Sequence, residues 1–151
     1  MPMTEDQIYS RMMALCSRRE YCKSDIVAKI SALSDEVDAE AMIKKLCEER
    51  FIDESRYAAA FVRDKSRLKG WGEVKIRYAL QRKGLDNDTI AEALGEIDED
   101  QQKERLAKLM KAKASTLKTG TQEEKRAKLI RFAVSRGFTY ALAAEIYKTI
   151  I

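Results

Sequence analysis

The sequence predicts an all-α protein of three tandem three-helix repeats, forming an elongated, curved array, right- or left-handed. Three observations carry this expectation. Apolar residues recur at helical spacing along almost the whole chain, helix breakers are scarce, and a pattern of caps and apolar residues returns about every fifty residues. One proline (Pro2) and six glycines interrupt 151 residues. Few breakers with abundant Ala, Leu, Lys, Arg and Glu favour helix over sheet.

The elements follow in order from spacings of three and four, which place side chains on one helical face. Ile8, Met12 and Leu15 form the first stripe. Ile26, Ile30 and Leu33 form the second, and Met42, Ile43 and Leu46 the third. Tyr57, Phe61 and Leu68 come next, then Ile76, Ala79 and Leu80. Ile90, Ala93, Leu94 and Ile97 make a full i, i+3, i+4, i+7 set. Leu106, Leu109, Met110 and Leu117 continue the series, followed by Leu129, Phe132 and Ala133. Ala143, Ile146, Tyr147 and Ile150 close it, which makes about nine short helices.

End signals agree. Thr4 with Gln7 and Thr121 with Glu124 have the spacing of capping boxes. Gly84 and Gly137 stand where a left-handed residue ends a helix. An apolar residue directly before a cap occurs as Val37-Asp38, Leu85-Asp86 and Phe138-Thr139, with Met42, Ile90 and Ala143 four residues after each cap. That is staple spacing. Ile26 and Ile30 align with Ile76 and Leu80, and Arg82-Lys83-Gly84-Leu85 parallels Ser135-Arg136-Gly137-Phe138. Repeats of this kind are expected at residues 3–50, 54–97 and 98–151 within a single chain 1–151. Ile52-Asp53 and Ile97-Asp98 mark the joints, each an apolar residue followed by a cap. Short three-helix units bury little alone, so neighbours supply much of the stability.

Composition narrows the functional classes. Histidine is absent, which removes the commonest general base and metal ligand. Gly70-Trp71-Gly72 lacks the spacing and flanking strand of a dinucleotide fingerprint. No catalytic residue, metal or cofactor is expected. The odd count of three cysteines, Cys16, Cys22 and Cys47, argues against a disulfide framework. Cys16 and Cys47 lie on apolar stripes, where free cysteine acts as a small hydrophobe. With no basic-then-apolar leader pattern and no apolar run long enough for a bilayer, the expected compartment is the cytoplasm.

The net charge of +4 is unevenly distributed. Arg63, Lys65, Arg67, Lys69, Lys75, Arg77, Arg82 and Lys83 face only Asp64 and Glu73 within one stretch, with Trp71 in their midst. From Asp86 to Glu104 eight acidic residues oppose Lys103, and from Arg105 to Arg136 ten basic residues oppose Glu123 and Glu124. Such blocks suggest a surface that meets charged partners. The last helices of the first two repeats carry Glu40, Glu48, Glu49 and Asp88, Glu92, Glu96. Phosphate repels acidic helices, which argues against major-groove reading and leaves contact with the phosphate backbone.

The candidate binding residues are therefore Arg63, Arg67, Lys69, Trp71, Lys75, Arg77, Arg82 and Lys83. A secondary basic surface comprises Arg18, Arg19, Arg126, Lys128 and Arg131. Trp71 has two readings: buried packing at a helix junction, or an aromatic anchor in a basic interface. Arg18 and Arg19 likewise read either as partner contacts or as helix-end charges that complement the dipole.

Across nearly the whole chain these residues resemble the RecX family of bacterial RecA modulators. The first repeat has Leu15-Cys16-Ser17-Arg18-Arg19-Glu20-Tyr21, then Asp25-Ile26 and Lys29-Ile30. The second has Phe51-Ile52-Asp53-Glu54-Ser55-Arg56-Tyr57-Ala58 and Phe61-Val62-Arg63, then Lys69-Gly70-Trp71-Gly72, Ile76, Leu80 and Lys83-Gly84-Leu85. The third has Lys128-Leu129-Ile130-Arg131-Phe132, Ser135-Arg136-Gly137-Phe138 and Ile146. Ala79 departs from the family pattern, which often has Glu there. The resemblance implies a non-catalytic regulator that binds the RecA–single-stranded DNA filament, blocks its extension and so regulates recombination, repair and the SOS response. It implies a monomer that meets the RecA filament and binds single- or double-stranded DNA weakly and without sequence preference, with no membrane partner. The basic blocks alone also fit an autonomous, non-specific DNA-binding protein, and the helical array alone fits a scaffold for another partner.

Overall fold

A computed structural model describes residues 2–151, and among them the chain forms nine α-helices and no strand. They are α1 (Glu5–Arg18), α2 (Lys23–Leu33), α3 (Ala39–Glu48), α4 (Glu54–Arg67), α5 (Glu73–Arg82), α6 (Asn87–Leu94), α7 (Glu99–Ala114), α8 (Gln122–Ser135) and α9 (Tyr140–Ile150). Among the described residues no helix is long and apolar enough to cross a membrane.

Caps set most of the starts. Thr4 forms the full box with Gln7 at α1, its hydroxyl accepting from the Gln7 amide while the Gln7 side chain takes the Thr4 amide. Asp38, Asp53, Asp86, Asp98 and Thr139 each accept from the amide three residues on. Each such cap stabilises its helix by about 1 kcal/mol. At α8 only half of the expected box forms among the described residues: the Thr121 hydroxyl accepts from the Glu124 amide.

Three helices end alike. After α5 the Leu85 amide donates to Leu80 O and Gly84 to Gln81 O; after α8 Phe138 donates to Ala133 O and Gly137 to Val134 O. Both are Schellman turns, with the glycine at φ 87° and 99°. The end of α3 repeats the bonds, Phe51 to Leu46 O and Arg50 to Cys47 O, with Arg50 in the left-handed position at φ 62°.

The burial pattern repeats at a fixed offset. Ile8, Met12, Cys16, Cys22, Ile26 and Ile30 are buried, and so is the residue fifty positions beyond each: Ala58, Val62, Ser66, Gly72, Ile76 and Leu80. One expectation needs correction. Leu68 does not continue the α4 stripe; the helix ends at Arg67 and Leu68 is 78% exposed. Of the cysteines, Cys16 is buried and Cys47 packs half-buried against the same core, as their stripes predict, and Cys22, off any stripe at the cap of α2, is fully buried as well.

The contacts divide the chain into two compact units. The first comprises the residues up to Ala60 together with Leu80–Ala91. Within it α2 packs on α1 and α3, around a core of Ile8, Met12, Ile26, Ile30, Leu46 and their neighbours. Each fully buried Ile, Leu or Met contributes about 1.5–3 kcal/mol of apolar transfer. The second comprises Phe61–Ala79 and Glu92–Ile151. There α7, α8 and α9 pack pairwise around Leu106, Met110, Leu129, Ile130, Ala133, Phe138 and Ile146.

Polar latches complete the first unit. The N-cap of α2, Cys22, makes no side-chain cap; instead Glu54 accepts from the Lys23 amide at 3.0 Å. A carboxylate at a helix N-terminus also meets the dipole favourably. Arg56 pairs with Glu20 and donates to Arg50 O at 3.1 Å, so one guanidinium ties the α1–α2 turn to the left-handed end of α3. The motif Asp53-Glu54-Ser55-Arg56 thus caps two helices and latches a third.

Candidate interaction surface

The basic stretch from Arg63 to Lys83 folds around the turn joining α4 to α5. Arg63 and Arg67 stand one turn apart on α4, both exposed, and Lys69 is exposed just beyond its end. Arg77 is exposed on α5. Trp71 is half-buried, with its ring edge-on to Phe61 at 6.4 Å between centroids and an interplanar angle of 71°. Two lysine ammoniums lie over it, Lys65 at 4.8 Å and Lys75 at 4.5 Å from the ring centroid. Such contacts contribute about 0.5–1 kcal/mol each at exposed sites. Trp71 therefore packs within the turn, half-buried together with both attached cations. Lys65, which the charge count included but the candidate set did not, belongs to this cluster.

Backbone contact holds the turn. The Gly72 amide donates to Arg136 O at 2.8 Å and the Val74 amide to Gly137 O at 2.9 Å. A Cβ on Gly72 would lie 2.4 Å from the Gly137 carbonyl carbon, and one on Gly137 would lie 2.4 Å from Lys75 Cβ. Glycine at both positions lets two main chains meet. Arg136 adds a guanidinium bond to Lys69 O at 3.4 Å and lies over Phe132 at 5.4 Å.

Folding separates the candidate set. Arg63, Arg67, Lys69, Trp71, Lys75 and Arg77 fall in the second compact unit, Arg82 and Lys83 in the first. Arg82 is exposed near the end of α5. Lys83 is half-buried and pairs with Asp25 at 2.6 Å, while its carbonyl accepts from the Ser24 hydroxyl at 2.7 Å. Burial raises the Asp25 carboxyl, but hydrogen bonds from Lys83 and Cys22 and the Lys83 charge outweigh it and hold the group below the ordinary carboxylate range. Its hydrogen bond to Asp25 correspondingly raises Lys83. Beside this pair, burial pushes the Tyr57 phenol and the Cys22 thiol up, so both stay neutral near pH 7.

The secondary residues divide similarly. Arg18 is the last residue of α1 and its only last-turn base, the dipole-complementing position. Arg19 caps that helix, with its guanidinium 4.7 Å from the Tyr21 ring centroid. Arg126 lies over Tyr147 at 5.7 Å on α8, and Lys128 and Arg131 are exposed on the same helix. Charge counting missed two features. Leu68, Val74 and Tyr78, exposed by 78%, 51% and 59%, stand among the cations of α4 and α5. Tyr21 and Lys29 join Arg19 in a cleft of the first unit. Among the described residues no group of His, Cys, Asp and Glu is arranged to hold a metal ion.

Residues 53–94 match the family model described as RecX, second three-helix domain. A regulatory protein RecX of Prosthecochloris aestuarii is 32% identical over 131 residues, spanning 85% of this chain and 83% of that protein. A regulatory protein RecX of Clostridium botulinum is 40% identical over 116 residues, covering 74% of this chain and 54% of its own length. The chain thus spans about half the length of the clostridial relatives it matches. The crystal structure of RecX from Lactobacillus salivarius superposes with a TM-score of 0.85 over 96% of this chain and 95% of that one, at 20% identity, a likeness of fold. A second crystal structure, of a regulatory protein RecX, superposes with a TM-score of 0.86 at 27% identity, over 95% of this chain and 71% of that one.

Proposed function

The chain belongs to the RecX family, and from that premise we propose that it is a non-catalytic regulator of the RecA recombinase. It acts in the cytoplasm by binding the RecA–single-stranded DNA filament and blocking its extension. One observation supports this reading above the others: the turn between α4 and α5 presents Arg63, Arg67, Lys69 and Arg77 on a backbone pinned at Gly72 and Gly137. Cations on a pinned main chain around a partly exposed tryptophan suit a polyanionic polymer surface, because the backbone that carries them need not be ordered on docking. On this reading Arg82 and Lys83, and the secondary set Arg18, Arg19, Arg126, Lys128 and Arg131, extend the contact. The repeats 3–50, 54–97 and 98–151 are its successive modules. Binding alone changes the rate at which protomers join the filament, so no chemical step is required.

The test is an ATPase time course with purified RecA on single-stranded DNA. Substoichiometric protein lowers the rate, and the double variant Arg67→Glu/Lys69→Glu loses the inhibition with its helical content intact. No effect of the unaltered protein at molar excess rejects the reading. Full inhibition by the double variant moves the contact surface elsewhere, to Arg126, Lys128 and Arg131 first.

A further inference from the structure

The first compact unit contains an open cleft of about 350 Å³ lined by Arg19, Tyr21, Asp25, Ala28, Lys29 and Lys83. Its position follows from the local chain. Arg19 caps α1 in an extended conformation, and Asp25, Ala28 and Lys29 share one face of α2 by their three- and four-residue spacing. Lys83 closes one side through its bond to Asp25.

Charge and shape narrow what fits. Three cations face one carboxylate, and that carboxylate is already engaged by Lys83. Arg19 and Lys29 are exposed, and among the described residues neither pairs with an acid. Their charged ends lie at the Tyr21 ring, 4.7 Å and 5.5 Å from its centroid, which restrains both without neutralising either. The apolar groups of the lining are Ala28, the Tyr21 ring that Arg19 and Lys29 overlie, and the stems of the cations, so a charged ligand meets the cleft more readily than the large apolar anchor of a protein partner. A strongly hydrated anion with several acceptor oxygens suits it better, and arginine and lysine bind phosphate well.

We propose that this cleft binds a phosphodiester of single-stranded nucleic acid through Arg19 and Lys29, whatever the base. The proposal rests on the reading that the chain works on a nucleoprotein filament, and it goes further in naming the atoms the strand offers and where they are held. Tyr21 orients the two cations and does not serve as a stacking platform, because both already occupy its ring. The counterpart of Tyr21 fifty residues on is Trp71, which also carries two cations, Lys65 and Lys75. The device occurs in both compact units, and in the second also at Phe132, which carries Lys113 and Arg136.

The test is fluorescence anisotropy of the full chain with a labelled oligothymidylate, an abasic strand of the same length, and a labelled polyglutamate of equal charge, over a salt series. Both strands are expected to bind the unaltered protein within about twofold of each other. The variant Arg19→Gln/Lys29→Gln weakens both equally and lowers the salt slope by about 0.7, the value for the one phosphate the cleft holds. The same charge loss at Arg11 and Lys44, which do not line the cleft, leaves the slope nearly unchanged. All four residues are exposed, so circular dichroism should report the same fold throughout. An unchanged slope in the cleft variant, a loss confined to the strand with bases, or a loss confined to polyglutamate overturns the proposal. The RecA assay is run on the same samples. Strand binding through the cleft without any effect of the unaltered protein on RecA sinks the regulatory reading alone; inhibition with no role for the cleft in strand binding sinks this one alone.

Discussion

Replacing Gly72 by alanine tests whether the α4–α5 turn is held by main-chain contact. The new methyl would lie 2.4 Å from the Gly137 carbonyl carbon, 2.5 Å from its oxygen and 2.5 Å from the Phe138 nitrogen. Carbon atoms in contact prefer about 3.5–4.0 Å, so the two chains must part by about 1 Å. All three obstacles are backbone, and no side chain can swing away. Parting them breaks the bonds from Gly72 to Arg136 O and from Val74 to Gly137 O. Two lost hydrogen bonds cost about 1 kcal/mol each and overpacking about 1–3 kcal/mol, giving about 3–5 kcal/mol in all. At roughly 2–4 °C per kcal/mol for a chain of this size, Tm should fall by about 6–20 °C. Gly84→Ala is the comparison. Gly84 has φ 87° but nothing within 4 Å of its Cβ position, so only the left-handed backbone is penalised, by about 1–2 kcal/mol. Urea titration followed by circular dichroism ranks the two. A Gly72→Ala protein as stable as the unaltered chain, or less damaged than Gly84→Ala, refutes the reasoning.

Further outcomes follow from the same geometry. Arg50→Gly should stabilise the protein by about 0.5–1 kcal/mol, because Arg50 occupies the left-handed position of a Schellman turn and only its carbonyl serves Arg56; a drop in the urea midpoint would show that its side chain matters. The Asp25–Lys83 pair should make stability depend on pH at both extremes. Asp25 is lowered from 3.8, so its contribution is present above that value and is lost as pH falls through the lower folded pKa. Lys83 is raised from 10.5, so its contribution is present below that value and is lost as pH rises through the higher folded pKa. Asp25→Asn should therefore cost about 1 kcal/mol near neutrality, modest because Lys83 is 42% exposed, and the gap should narrow below about pH 4. A gap in Tm that stays constant down to about pH 2 would rule the linkage out.

Local signals in the sequence carried far. Helical stripes located the helices, and the caps at Asp38, Asp53, Asp86, Asp98 and Thr139 were legible because a cap needs only its own oxygen and an amide three residues away. The left-handed turns at Gly84 and Gly137 were legible for the same reason. Arg50 was not, because its place is held by the flanking hydrogen bonds and not by its residue type. Leu68 reads as helical because its spacing stays in register with α4 beyond the point where the helix stops. Cys22 gives no burial signal because a cap residue lies off the stripe yet still turns inward. The contacts that organise the candidate sites join residues 58 or more apart: Asp25 with Lys83, Lys69 with Arg136, Gly72 with Gly137. Nothing local announces such partners. The run Gly70-Trp71-Gly72, dismissed as a nucleotide loop, was the nearest hint that a backbone approaches there.

The first compact unit is interrupted in sequence, and this bears on how the chain is made. Residues up to Ala60 carry most of its core, but Leu80–Ala91 complete it. The ammonium of Lys83 answers the Asp25 carboxylate, and its carbonyl takes the Ser24 hydroxyl. A nascent chain emerging residue by residue must hold its first three helices open-sided until residues 80–91 have left the ribosome. Pausing translation between residues 60 and 80 would leave an aspartate without its counter-charge and an unclosed apolar face, the state most exposed to proteases and chaperones.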